Sequence, residues 1–340
     1  MLLEKFNSLN NDIIIVDGLW GTGKSLLGPI VSGMDRVEKF KIEHVYEYVS
    51  ILRHLDKMSP DAVGWMLNTY ADLSQYNNLV GREVNLRWSD DSGLSNNPNK
   101  VQCIKRLFAK EGDQKIADIN DNNIALNVMS HMLMLVADPI FEAYGGRARV
   151  VEVVRHPLYV VRHWHAYLER FDSPREFTVS SNYKGKKVPW FTAGWEDAFI
   201  EANAMDKVLL SITKLYEWLD VATKGAVDKG NNVLTLSFES LAMTPDEPLQ
   251  QLESFLGRKH YHKLSAILRK QKMPRQTISQ GKGHAAYGWS KSDSDKNEQQ
   301  IYAQHLEFVT SNGSPENVDK LLKLIETYNA KYPSVLTQYQ

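Results

Sequence analysis

The stretch IIIVDGLWGTGKSLLGPIV, residues 13 to 31, decides the fold. It opens with Ile13, Ile14, Ile15 and Val16. An unbroken β-branched run of this length reads as a strand buried on both faces. The turn that follows carries Gly18, Gly21 and Gly23, and from Lys24 onward Leu26, Leu27, Ile30 and Val31 recur at helical spacing. Pro29 removes a helix hydrogen bond and presses on the Ser25 carbonyl, so this helix is expected to be short or kinked. Gly18 to Ser25 fits the pattern GxxxxGK[ST] in the strand–turn–helix setting that the pattern requires. Glycines let backbone amides point inward at phosphate oxygens, and the helix N-terminus adds a fixed partial positive charge. Gly21, Thr22, Gly23, Lys24 and Ser25 are therefore expected to hold a phosphate-like anion, with Lys24 supplying a full charge.

Outward from this turn, further strands alternate with helices. Residues 41 to 49 alternate Ile42, His44, Tyr46 and Tyr48 and read as a second strand. RVVEVV (149–154) and VLTLSF (233–238) are clearer ones. Helices are predicted over 158–171, over 195–222 as one long amphipathic element, and over 245–256, closed by Gly257. Residues 70 to 121 are polar and read as helices broken by loops, and 173 to 189 as a loop with Lys184, Lys186 and Lys187 near its end. This order implies a three-layer α/β/α fold with a central, mostly parallel sheet. No linker divides the chain, so a single domain over 1–340 is expected, with a helical and loop insertion for substrate around 50–125.

Composition narrows the function. The chain has 340 residues, 43% hydrophobic and 24% charged, with a formal net charge of -1. No overall field draws it to nucleic acid or to an acidic membrane, so local basic groups must do any anion binding. Its one cysteine, Cys103, permits no intrachain disulfide, which fits a cytoplasmic location. The N-terminus lacks the pattern of a secretory signal. The longest apolar stretch, ALNVMSHMLMLVA (125–137), is too short for a membrane helix and contains Ser130 and His131.

A phosphate turn alone does not choose the nucleotide. An ATP enzyme holds Mg²⁺ with the turn's Ser or Thr and with an Asp ending a second apolar strand. Here the strand at 149–154 runs into Arg155-His156-Pro157, the strand at 233–238 runs into Glu239, and Asp118 follows only a weak apolar pair. Arginine where a metal carboxylate belongs points to a second anion and to no metal.

VVEVVRHPLYVVRHW (150–164) resembles the 3′-phosphate motif of sulfotransferases that use 3′-phosphoadenosine 5′-phosphosulfate (PAPS). Arg155 matches the motif's arginine, and His163 stands at its serine, with Arg162 and His165 nearby. Three further stretches resemble that family in the right order: 234–258, Lys282-Gly283 with Trp289 and Lys291, and Ser130-His131-Met132. The third resembles the element whose histidine is the base of cytosolic sulfotransferases. Gly281 replaces an arginine of the family, and the family's basic residue in the phosphate turn falls on Gly21, the charge having moved to Lys24.

The resemblance implies the P-loop, NTPase-like sulfotransferase fold, with PAPS as cosubstrate and Arg155, His163, Lys282 and Gly283 among its contacts. It implies a small-molecule or glycan acceptor bearing a hydroxyl or amine. Lys24 would stabilise the leaving phosphate, and either His131 or Glu43 would be the base, His44 being a neighbour able to substitute. Trp20, Trp164 and Trp289 would stack on adenine or close the pocket, and the lysines at 184–187 would attract an anionic acceptor. A small-molecule kinase using ATP and Mg²⁺ is the alternative, and a nucleotide-binding module without chemistry is a third.

Overall fold

A computed structural model describes every residue except 89, 91, 261–262, 280–295 and 340. Lys282, Gly283, Trp289 and Lys291 lie outside the described residues.

Five parallel strands form the central sheet in the order β2-β3-β1-β4-β7. They are β1 (Ile13–Asp17), β2 (Lys41–Ile42), β3 (Leu126–Met129), β4 (Ala148–Val154) and β7 (Val233–Ser237). A separate antiparallel hairpin pairs β5 (Ser180–Tyr183) with β6 (Lys186–Pro189). β1 lies between β3 and β4, with Ile13 opposite both Leu126 and Ala148. A strand so flanked must be apolar on both faces, and every residue of β1 is buried. The sheet is the α/β framework expected, and its core is continuous with the helices packed on it.

Several elements differ from the sequence expectation. The strand predicted over 41–49 is only Lys41–Ile42, and helix α2 (His44–His54) replaces its remainder. The alternating aromatics suggested a strand, but Tyr46, Val49 and Ser50 recur at helical spacing and form the buried face. β3 lies inside the apolar stretch 125–137, where a four-residue strand and a following turn look like one run. The helix expected over 195–222 is two, Glu196–Glu201 and Ala204–Asp228. Ala202 is extended, and the Asn203 side chain accepts from the Asp206 amide at 2.8 Å, a start signal inside an amphipathic pattern. Residues predicted as loop before Pro189 form the β5–β6 hairpin, turned by Lys184 and Gly185 at positive φ. Helix α1 (Lys24–Val31) contains Pro29 and ends after two turns. The polar region beyond α2 is helical with loops, beginning with α3 (Pro60–Leu79). Among the described residues no helix is long and apolar enough to cross a membrane.

Asn203→Ala should cost about 1 kcal/mol of stability, the usual worth of an N-cap side chain, measured as a shift in urea midpoint. A shift near zero would mean that the break at 203 does not start the second helix.

Candidate active site

In an all-parallel sheet the residues after each strand gather along one edge. Strand order reverses at β1: the chain goes to β2 and β3 on one side and to β4 and β7 on the other. Ligands of open α/β sheets bind in the crevice at such a point. Gly18, His131, Arg155, Phe238 and His44 all belong to segments leaving this edge.

The turn after β1 is shaped by glycines. Gly21 and Gly23 have φ of 83° and 101°, and a Cβ on Gly23 would lie 2.2 Å from the Phe238 ring. Thr22 is buried, its hydroxyl donating to the Leu19 carbonyl at 2.9 Å, whereas Ser25 is exposed. In the first turn of α1 the Leu26 amide donates to the Gly23 carbonyl at 2.9 Å, the amides of Lys24 and Ser25 precede any intrahelical acceptor, and no acidic residue occupies that turn. The helix end keeps its positive potential. Lys24 curls back, with Nζ donating to the carbonyls of Gly18 at 2.9 Å and Leu19 at 2.7 Å.

Beneath the turn lie two fully buried acids on neighbouring strands, Asp17 and Glu152, paired in register. Asp17 accepts from the Ser130 hydroxyl at 2.8 Å and the Met134 amide at 2.7 Å. Burial, and then the Asp17 charge, push the Glu152 pKa well above the carboxylate range. Burial thus favours the uncharged form of Glu152, and neither of its oxygens has a hydrogen-bond partner among the described residues. Burial lowers the Lys24 pKa, opposed by Asp17, Glu152 and Glu47.

Arg155 reaches across from β4 to the turn, its Nη1 donating to the Gly21 carbonyl at 2.9 Å. Its guanidinium lies over the Phe238 ring at 4.3 Å from the centroid, and that of Arg275 lies over the same ring at 5.4 Å. Arg275 makes only long contacts, 3.5 and 3.4 Å, to the carbonyls of Ile278 and Gln271. Its buried Nε has no hydrogen-bond partner among the described residues. Burial and the charge of Arg155 push its pKa down to about 10. The acid nearest in effect to Arg155 is Glu239, which itself accepts from the His156 amide at 2.9 Å and the Tyr328 hydroxyl at 2.7 Å. Two cations around one ring repel each other, an arrangement that suits an anion.

His163 packs on the turn: a Cβ on Gly21 would meet its ring at 3.0 Å. Trp164 is fully buried, its indole donating to the Trp20 carbonyl at 3.0 Å, so it is core rather than a stacking platform. Trp20 packs against Trp164 and Tyr167 and borders a cleft of about 450 Å³.

That cleft is also lined by His44, Glu47, His131 and His163. His131 stands in the turn after β3, and the next residue's amide bonds the Gly18 carbonyl at 3.1 Å, which joins it to the phosphate turn. Glu47 on α2 is buried and serves both imidazoles. Its Oε1 accepts from the His131 amide at 2.6 Å and lies 3.1 Å from His131 Nδ1, and its Oε2 lies 3.3 Å from His44 Nδ1. The three ligand-type atoms fall within 4.8 Å of one another, close enough to prompt a metal reading. The imidazole planes are only 19° apart, and each ring takes its own carboxylate oxygen. That suits two hydrogen bonds better than one ion lying in both ring planes.

Glu43 is placed elsewhere. Its Oε2 accepts from the Tyr70 hydroxyl at 2.6 Å and its Oε1 lies 3.5 Å from the Ser74 hydroxyl, both on α3. It lines a second cavity of about 230 Å³, with Lys39, Lys41 and Arg106. The basic run of the hairpin is engaged outside the cleft: Lys184 pairs with Asp197 at 2.5 Å, and Lys187 donates to the Phe171 carbonyl at 2.7 Å. Asp118 pairs with Lys115 on the helix Asp113–Asn122 and ends no strand. The sequence reading missed Glu47 and Arg275. The first was hidden by the strand assignment at 41–49, and the second stands in no motif.

No protein-family model matches this chain, and no curated protein matches it either. Among solved structures it is similar to the sulfotransferase domain from the curacin biosynthetic pathway, at 12% identity over 94% of this chain and 99% of that one, TM-score 0.43. It is similar to sulfotransferase STF1 from Mycobacterium tuberculosis H37Rv, at 12% identity over 87% of this chain and 76% of that one, TM-score 0.38. A third is mouse sulfotransferase SULT7A1 complexed with PAP, at 11% identity over 98% and 89% of the two chains, TM-score 0.33. All three are sulfotransferases. At such identities and scores, what this chain does must be argued from its own residues.

The buried acid under the turn gives a pH signature. A carboxyl whose pKa is raised by folding contributes its stability below the unfolded value, about 4.3, and loses it as pH rises toward the folded value. Glu152→Gln keeps the neutral donor and removes the titration. The stability of this variant relative to the parent protein should rise steadily from pH 4.5 to pH 8 in urea unfolding. A difference independent of pH would mean that Glu152 is ionised in the folded protein.

Proposed function

We propose that this chain is a sulfotransferase that moves a sulfuryl group from PAPS to a hydroxyl or amine of a small-molecule or glycan acceptor. The observation that carries the reading is the pair Arg155, buried, and Arg275, half-buried, two guanidiniums around Phe238 at the edge of the glycine turn. A doubly charged phosphate relieves their mutual repulsion and takes hydrogen bonds from both planar forks. The turn binds the 5′-phosphosulfate, and the arginine pair binds the 3′-phosphate that distinguishes PAPS from ATP. The same observation disfavours the kinase alternative, since Arg155 stands where that chemistry needs a metal carboxylate.

Transfer breaks the bond between sulfur and the bridging oxygen, and charge grows on the departing phosphate. Donors fixed at that oxygen stabilise the transition state more than the ground state. On nucleotide binding, Lys24 exchanges the Gly18 and Leu19 carbonyls for this oxygen, with the amides of Gly23 to Ser25 beside it. The acceptor occupies the cleft below Trp20, and His131 takes its proton. His163 donates to the nucleotide from the side of Gly21. The acceptor side of that cleft is formed by the start of α2, with Tyr48 and Ile51, and by residues within 166–179, while the expected insertion at 50–125 contributes only Ile51. Glu43, bonded to α3, is not used as the base.

3′-Phosphoadenosine 5′-phosphate should raise the melting temperature without metal, and adenosine 5′-phosphate should do so much less. Arg155→Ala and Arg275→Ala should each weaken its binding by about 1.5–3 kcal/mol, the worth of a charge-assisted hydrogen bond, in calorimetry. Stabilisation by ATP only with Mg²⁺, and arginine variants that bind as the parent does, would overturn the reading.

A further inference from the structure

The buried carboxylate of Glu47 acts on groups from three parts of the site. Through Oε1 it takes both the amide and Nδ1 of His131, which follows β3, and through Oε2 it meets Nδ1 of His44 on its own helix. Its charge also acts on Lys24 in the phosphate turn. Burial opposes its ionisation, but the bonds from His131 and His44 prevail and hold its pKa below the ordinary glutamate value. In return the hydrogen bond to Glu47 raises the pKa of His44, with the charges of Glu43 and Glu176 adding to it. The His44 side chain is 44% exposed and that of His131 25%, so the unit runs from the cleft wall to solvent.

A carboxylate bonded to Nδ1 fixes which ring nitrogen carries the proton. It leaves Nε2 as the acceptor and stabilises the imidazolium once that nitrogen is protonated. We infer that Glu47 is the positioning residue of the acceptor-activating base: it holds His131 in the Nδ1–H tautomer, with Nε2 free to take a proton, and His44 shares and moderates the same carboxylate. The inference rests on the sulfuryl-transfer reading. In the step it describes, the acceptor O–H bond breaks and its proton goes to His131 Nε2. The acceptor oxygen forms the new bond to sulfur, and the sulfur–oxygen bond to the phosphate breaks with its electron pair on the phosphate. Glu47 stays ionised throughout, so it touches no reacting atom.

Glu47→Gln and Glu47→Asp in the full chain test this, with the aspartate as the variant that keeps a charge should the amide disturb folding. The assay is transfer from [³⁵S]PAPS to 4-nitrophenol, N-acetylglucosamine and octylamine. The glutamine should lower kcat by about 10²-fold or more, leaving the KM for PAPS and the affinity for 3′-phosphoadenosine 5′-phosphate unchanged. The aspartate should recover part of the loss. A second readout needs no turnover: ¹⁵N spectra of the histidines, assigned with His131→Asn and His44→Asn. Glu47→Gln should abolish the preference of His131 for the Nδ1–H tautomer and move the titration of His44 to lower pH. A glutamine variant with parent kcat, or with the His131 tautomer unaltered, overturns the positioning role. If the parent chain transfers to none of the three acceptors and ignores 3′-phosphoadenosine 5′-phosphate, the sulfotransferase reading fails first, and the ¹⁵N spectra still decide the role of Glu47.

Discussion

The bond from Arg155 to the Gly21 carbonyl ties together the ends of the two central strands. Most of the crevice depends on it. β1 and β4 pair in register up to Asp17 and Glu152, so the segments after them leave the sheet side by side. A guanidinium buried here loses hydration worth several kcal/mol. The loop carbonyl, the face of Phe238 and the field of Glu239 return only part of it. Glu239 is itself fixed by His156 and Tyr328 rather than bonded to the arginine. Adjacent His156 is kept neutral, its pKa pushed to about 3 by burial and by the Arg155 charge. Burial lowers the Arg155 pKa and the Glu239 charge opposes that shift, so an added negative charge would favour the guanidinium further.

Charge alternates with depth along this edge. The arginines and the helix end are uppermost, Lys24 lies within the turn, and Asp17 with protonated Glu152 lies below. The Asp17 charge opposes the penalty of burying the ammonium, and Lys24 rests on the turn's own carbonyls. A neutral Glu152 matters to this balance. A second full negative charge beside Asp17 would weaken the positive potential above the turn.

The fold was largely legible because its signals were local. The run 13–16, the three glycines and the arginine after 149–154 each announce their element without help from distant residues. β3 was not legible, because its four residues continue without a polar break into the turn carrying His131. The break at Asn203 was hidden because residues on both sides keep the same amphipathic period. Of the candidate site, the turn, Arg155, His163 and His131 were named from motifs and resemblance; Arg155 and His163 lie against Gly21, and His131 shares a cleft with His163. Arg275 lies far from Arg155 in sequence, and only packing on a shared ring joins the two. Trp164 shows the opposite failing, an aromatic beside a motif whose full burial makes it core.

Glu43 and Glu47 show how one helix boundary changes a chemical assignment. In a strand, both glutamates would lie on one face with two residues' alternation between them, and either could be called the base. Here Glu43 is the last extended residue before α2, with φ −128° and ψ 99°, and Glu47 sits in the first helical turn. Residues four apart would share a face in one continuous strand or helix, but the change from extended to helical backbone between 43 and 47 separates them. The extended backbone at 43 sends that side chain to the hydroxyls of Tyr70 and Ser74, and the helical backbone at 47 sends the other into the cleft. The carboxylate beside the histidines therefore follows from where α2 begins, a boundary that alternating aromatics at 42–48 conceal.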